Sequence, residues 1–137
     1  FRHGEEYEYI IDIEDFEIMD KHIPKLILQP IVENAIYHGL LPAEKNGLII
    51  VKGYRENKNI YFKIVDNGVG IPASKVEEIN KILKGEIKTD DHKKYFGLRN
   101  VDQRLKLMYG GSSGLKVESF EGEKTIVTIR IDQRGGK

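Results

Sequence analysis

Ile64-Val65-Asp66-Asn67-Gly68-Val69-Gly70-Ile71-Pro72 decides how this chain is read, because an apolar, β-branched run delivers one aspartate straight into two closely spaced glycines. Glycines at that spacing let a backbone turn tightly and approach a ligand. The six residues from Gly68 to Ala73 also satisfy the dinucleotide-binding pattern G-x-G-x-x-G/A. The flanking residues argue against a dinucleotide site. Pro72, with Ser74 as N-cap and Glu77 three residues on as a capping box, places the next helix at 74–83, after the glycines. The hairpins on either side cannot supply consecutive right-handed parallel βαβ units. In isolation the stretch also admits a plain reading, a strand ending in a glycine turn with Asp66 as a local cap.

Working outward, residues 59–65 form the strand that delivers Asp66, and 48–55 pair with it antiparallel across Glu56-Asn57-Lys58. Upstream, Leu26, Ile27, Pro30, Ile31, Ala35 and Ile36 recur at helical spacing, giving a helix over 24–39 with Pro24 in its first turn. Pro30 removes a backbone donor and crowds the carbonyl of Leu26, so a kink or break is expected there. Alternation over 7–13 gives a first strand. Downstream, Gly85 ends the 74–83 helix, and the charged segment 86–94 is expected to be an exposed lid. Leu98, Val101, Leu105 and Met108 define a helix over 97–108 that stops at Gly110-Gly111. Strands 115–120 and 125–131 close the chain. This order predicts one α+β domain over 1–137, a two-layer sandwich whose mixed, largely antiparallel sheet carries helices on one face.

Composition narrows the partners. Lysine plus arginine equals aspartate plus glutamate at 22 each, so there is no electrostatic footprint for nucleic acid. There is no cysteine, which removes disulfides and thiolate zinc sites and fits a reducing, cytoplasmic setting. No apolar run approaches the ~20 residues a membrane helix needs.

Two further clusters carry chemistry. In Leu28-Gln29-Pro30-Ile31-Val32-Glu33-Asn34-Ala35-Ile36-Tyr37-His38-Gly39, helical spacing puts Asn34, Tyr37 and His38 on one face, which is either a solvated surface or a site. In Tyr95-Phe96-Gly97-Leu98-Arg99-Asn100-Val101-Asp102-Gln103-Arg104-Leu105, Gly97 at a helix start leaves N–H groups unpaired for an anion, with Arg99 and Arg104 adding positive charge. The Walker pattern G-x-x-x-x-G-K-[ST] is absent.

Taken in order, the three clusters resemble the N, G1 and G2 boxes of histidine kinase ATP-binding domains of the GHKL superfamily. Asn34 with Glu33 matches the first, Asp66-x-Gly68-x-Gly70 the second, and Gly97-Leu98-x-Asn100-Val101-x-x-Arg104-Leu105 the third. The wording from Pro24 to Gly39 and from Gly97 to Gly110 is most similar to the branch that includes LytS and YesM-type sensor kinases. The resemblance implies a Bergerat-type sandwich holding ATP and magnesium (Mg2+) beneath a lid. It implies that Asp66 accepts from the adenine amine with Thr125 on the same edge, that Asn34 ligates the metal, and that Gly68 and Gly70 let the backbone lie near the nucleotide. Gly97 and Leu98 would present N–H groups to the phosphates, with His38 at the same end. Three positions depart from the pattern: Tyr95 and Lys124 where glycines are common, and Tyr37 where many relatives carry a lysine.

The function implied is the catalytic half of a two-component sensor kinase, moving the γ-phosphoryl of ATP to a histidine on a separate dimerisation helix. None of the four histidines lies in an acceptor-like helix, so that histidine is expected outside these residues, as is any membrane anchor of a homodimeric parent. A response regulator would be the onward partner. Pro30, four residues before Asn34, stands where hydrolysing members of the superfamily carry a water-activating glutamate, so poor hydrolysis is expected. Another GHKL kinase of the anti-sigma serine kinase type, or a nucleotide-binding pseudokinase, are the competing readings.

Overall fold

Alternating burial builds the sheet. The computed structural model describes residues 7–13, 25–40, 43, 46–91, 94–110 and 112–132. Five strands, β1 (Tyr7–Ile13), β2 (Gly47–Glu56), β3 (Asn59–Asp66), β4 (Gly114–Phe120) and β5 (Lys124–Asp132), lie side by side in the order β1-β2-β3-β5-β4. Only β1 and β2 run parallel; the other pairs are antiparallel. The β2–β3 turn is one residue tighter than expected, with Glu56 opposite Asn59 and Asn57 at φ 57, a left-handed conformation asparagine tolerates.

Ile60, Phe62 and Ile64 of β3 share one face with Ile49 and Val51 of β2, Val117 of β4, and Val127, Ile129 and Ile131 of β5, and all are buried. Three helices cover that face: α1 (Lys25–Asn34), α2 (Ala73–Leu83) and α3 (Phe96–Tyr109). They contribute Ile27 and Ile31, Ile79 and Leu83, and Leu98, Val101 and Leu105 to a single core. Full burial of such side chains stabilises by about 1.5–3 kcal/mol each. The two-layer α+β sandwich read from the sequence is the fold.

Three local expectations change. Of the kink or break expected at Pro30, the break does not occur: helix α1 is continuous through it, with Ile27 and Ile31 on either side each 1% exposed in the core. Its winding changes later, to a π-helical turn over Ala35–Leu40. The capping box of Ser74 and Glu77 does not form. Helix α2 begins one residue earlier, at Ala73, where Pro72 at φ −58 is already set for helix entry and its carbonyl accepts from Lys75 and Val76 N–H. At the other end Gly85, at φ +80, completes a Schellman motif: its N–H donates to the Ile82 carbonyl and that of Glu86 to the Lys81 carbonyl. The expected helix start at Pro24, the stop at Gly111, and His3, His22 and His92 lie outside the described residues.

Strand β4 lies at the sheet's border, yet its mid-strand edge groups are matched. The Asn80 side chain of α2 donates to the Val117 carbonyl at 2.8 Å and accepts from the Val117 N–H at 2.9 Å. Asp102 of α3, ion-paired with Lys106, accepts from the Leu115 N–H at 2.8 Å.

Candidate functional site

Asp66 is the last residue of β3, held between Ile49 of β2 and Thr125 of β5 and only 3% exposed. A carboxylate so placed needs donors, and the Gly68 N–H supplies one to Oδ1 at 2.9 Å. The π-helical turn carries Gly39 directly over it. A methyl group on Gly39 would stand 2.6 Å from Asp66 Oδ1, so glycine leaves the room the carboxylate occupies. Gly68 in turn lies against Gly39, where a Cβ would come within 2.5 Å of its Cα, and the Val69 N–H donates to the Gly39 carbonyl at 3.0 Å. The widened turn and the glycine loop are thus fastened together around one carboxylate. Single π-turns inside α-helices recur at functional sites.

Proton accounting fixes the neighbouring hydroxyl. Ser119 Oγ donates its one proton to the Lys124 carbonyl at 2.8 Å and accepts from the Ile71 N–H at 2.8 Å. Its contact with Thr125 Oγ1, also 2.8 Å, therefore uses the Thr125 proton. Thr125 then offers only acceptor lone pairs elsewhere. Asp66 and Thr125 line a small hollow of about 30 Å³ together with Asn34, His38, Gly39 and Gly70.

A larger hollow of about 530 Å³ adjoins it, the two sharing Asn34, His38, Gly70 and Ile71 as lining residues. The larger part adds Lys75 and Ile79 of α2 and Tyr95, Phe96, Gly97 and Leu98 at the start of α3. One cleft results, with an acceptor-rich deep end and an open end at a helix N-terminus. Of the residues singled out in the sequence, Asp66 and Thr125 lie deep, Gly97 and Leu98 lie at the open end, and Asn34, His38 and Gly70 belong to both. Gly68 is behind the wall rather than on it, turned against Gly39. Gly70, at φ +75, has the β4–β5 turn at its back, where a Cβ would lie 2.8 Å from Glu121 Cα.

Other expectations are corrected. Tyr37 does not share the face of Asn34 and His38 toward the cleft; it is 58% exposed, because the wider π-turn rotates it outward. Neither Arg99 nor Arg104 lines the cleft. Arg99 Nη1 donates to the carbonyls of Asp91 and Lys94, each at 3.3 Å, since its α3 neighbour Leu98 takes the cleft side. Lys75 is the one lysine or arginine among the described residues on the cleft wall, and the sequence reading missed it. It also missed Gly39 and Ser119, which act through Asp66 and Thr125.

At the mouth, Glu78 of α2 accepts from Tyr95 Oη at 2.8 Å and from Lys94 Nζ at 2.9 Å. The Lys94 hydrogen bond, then that of Tyr95, holds the Glu78 carboxyl below the usual carboxylate range. The same bond raises Lys94, and burial followed by the Glu78 contact raises the Tyr95 phenol.

No group of three or more His, Cys, Asp or Glu residues suited to a metal ion occurs among the described residues. The donor set suits a cation held mainly by ligand oxygens and water, with the half-buried Asn34 amide as protein partner, which is the preference of magnesium.

A mixed sheet with helices on one face, an acidic acceptor at its floor and a helix N-terminus at its mouth defines a nucleotide-binding sandwich. The family model of the histidine kinase-, DNA gyrase B- and HSP90-like ATPases matches residues 19–135, and the chain belongs to that family. It is 33% identical over 135 residues to the sensor histidine kinase YpdA of Escherichia coli strain K12 and 30% identical over 134 residues to the sensor histidine kinase YesM of Bacillus subtilis strain 168. These alignments cover 97% and 98% of this chain but only 22% and 21% of those relatives. Among solved structures, the catalytic domain of histidine kinase ThkA superposes with a TM-score of 0.61 at 14% identity, over 93% of this chain and 78% of that one. The blue-light activated histidine kinase of Erythrobacter litoralis gives 0.62 at 17% identity, over 93% of this chain and 35% of that one. The chain is an ATP-binding domain of the kind sensor histidine kinases carry.

Proposed function

We propose that these residues bind ATP in the cleft and, within a longer parent kinase, transfer its γ-phosphoryl to a histidine on a separate dimerisation helix, from which it passes to a response regulator. The deep end recognises adenine: the exocyclic amine donates to Asp66, and Thr125, its own proton directed to Ser119, accepts directly or through water. A guanine carbonyl at that place would face acceptors. At the open end the first N–H groups of α3 at Gly97 and Leu98, with Lys75 and His38, meet the phosphates. Asn34 would hold magnesium, which when bound neutralises phosphate charge.

The observation that carries transfer over hydrolysis is that no Asp or Glu side chain among the described residues lines the larger part of the cleft. Pro30 has no base to offer, and Glu33 is exposed, taking a hydrogen bond from Gln29 at 3.2 Å on the outside of α1. Phosphoryl transfer asks mainly for in-line positioning and charge stabilisation, so a docked imidazole can react where water is not activated. No helix among the described residues is long and apolar enough to cross a membrane. A membrane anchor, if the parent has one, belongs to other segments, with this domain on the cytoplasmic side.

The test is to measure ATP turnover by the purified chain alone and with its cognate dimerisation helix. Slow turnover alone, acid-labile phosphohistidine on the added helix, and loss of both nucleotide binding and transfer in Asn34→Ala are expected. Rapid hydrolysis undiminished in Asn34→Ala would overturn the proposal, and nucleotide binding without transfer would make the chain a binding module instead.

A further inference from the structure

Glu78 takes no part in the proposed transfer, yet it stands where the cleft's open end is shaped. Its two carboxylate oxygens take separate partners, Oε1 the Tyr95 phenol at 2.8 Å and Oε2 the Lys94 ammonium at 2.9 Å, residues 17 and 16 positions further along the chain. The Lys94 ammonium also lies 5.7 Å from the centre of the Tyr95 ring, so the three groups form one cluster. An exposed ion pair by itself contributes little. What distinguishes this one is the backbone it holds. Tyr95 has φ 54, in the left-handed region that a bulky side chain adopts only under constraint. It is the residue immediately before α3, and its carbonyl accepts from the Arg99 N–H at 2.9 Å, closing the first turn of that helix. Gly97 and Leu98, which line the open end, follow one residue further on after Phe96, and Tyr95 is itself part of the cleft wall.

We propose that Glu78 is a positioning residue of the nucleotide site: by holding Tyr95 and Lys94 it fixes the left-handed turn that aims the first N–H groups of α3, and sets the Tyr95 ring as a wall, against the phosphate end of ATP. The proposal rests on the reading of the cleft as an ATP site. Its effect is confined to one end. Asp66 and Thr125 are the paired residues of β3 and β5, fixed by the sheet, and no contact of Glu78 reaches them. Loss of the clamp therefore lowers affinity for the triphosphate while leaving affinity for the base and sugar as it was.

The experiment measures binding of magnesium-ATP and of adenosine to the chain and to five variants, by competition with a fluorescent ATP analogue. The variants are Glu78→Ala, Glu78→Gln, Tyr95→Phe, the double Glu78→Ala/Tyr95→Phe, and Asn34→Ala as the control for the site. Glu78→Ala is expected to weaken ATP about fivefold to tenfold, with adenosine changed by less than about twofold. Tyr95→Phe weakens ATP similarly, and the double variant is no worse than the poorer single, as for two groups acting through one contact. Glu78→Gln, which keeps an acceptor for the phenol, recovers most of the loss. Wild-type ATP affinity in Glu78→Ala beside an impaired Asn34→Ala overturns the proposal alone, as do equal losses for ATP and adenosine or additive losses in the double variant. Absence of ATP binding by the unsubstituted chain, or ATP binding unchanged in Asn34→Ala, overturns the ATP reading of the cleft and the proposal with it.

Discussion

Replacing Gly97 with alanine separates what the chain needs for folding from what its cleft needs for a ligand. Gly97 is the second residue of α3, and a Cβ built on it meets no atom within 4 Å. No steric cost therefore opposes the exchange, and alanine in a helix is favoured over glycine by about 0.5–1 kcal/mol. Near the helix end the lower part of that range applies, so melting should rise by roughly 2–3 °C for a domain of this size. Gly97 also lines the open end of the cleft. A methyl group there stands where a phosphate must approach the α3 N–H groups, and losing one such close contact should weaken ATP by about tenfold or more. Adenosine, which lacks phosphates, should bind as before. Circular-dichroism melting without nucleotide gives the first quantity and calorimetric titration the second. A variant that melts higher and binds ATP undiminished would refute the assignment of α3's first turn to the phosphates, and one that melts lower would refute the steric reasoning.

The same geometry sets three further outcomes. Gly68→Ala drives a methyl group into the Gly39 backbone and breaks the Val69 to Gly39 hydrogen bond, so urea unfolding should show a loss of about 2–5 kcal/mol. Lys75→Ala should weaken ATP several-fold but not adenosine, and the difference should shrink as salt is raised, which titrations at two ionic strengths would reveal. Ser119→Ala frees the Thr125 proton to turn toward the cleft, so preference for ATP over inosine triphosphate should narrow by about fivefold, whereas a merely loosened site would weaken both nucleotides alike.

The sheet was legible because burial alternates along most of β2, β3 and β5, and period-two patterns are visible in a single sequence. Gly85 and Gly110 ended their helices as read, since a cap at positive φ favours glycine whatever the tertiary context. The π-turn over Ala35–Leu40 was not legible. It brings Gly39 against Asp66 and Gly68, a contact between segments 27 and 29 residues apart, which no local pattern encodes. Missing it put Tyr37 on the wrong face. The helix start was misplaced by one residue because Ser74 and Glu77 satisfy a capping pattern that Pro72 pre-empts, and that shift hid Lys75. Arg99 was assigned toward an anion from charge alone; its direction depends on which α3 residues the core claims. Asn34, His38, Asp66, Gly70, Gly97 and Leu98 of the cleft were legible in three clusters, but Lys75 was not, and the division into a deep and an open end required the fold.

The amide of Asn80 has a consequence for assembly. By offering one donor and one acceptor to the two backbone groups of Val117, it stands in for a neighbouring strand one residue long. An outside strand could add to β4 only by prising α2 from the border, so growth of the sheet by strand addition is blocked there by a side chain rather than by charge or proline. Exchange of Asn80 for leucine would convert a closed border into an adhesive one, and self-association visible by sedimentation, more than any fall in melting temperature, would be its signature.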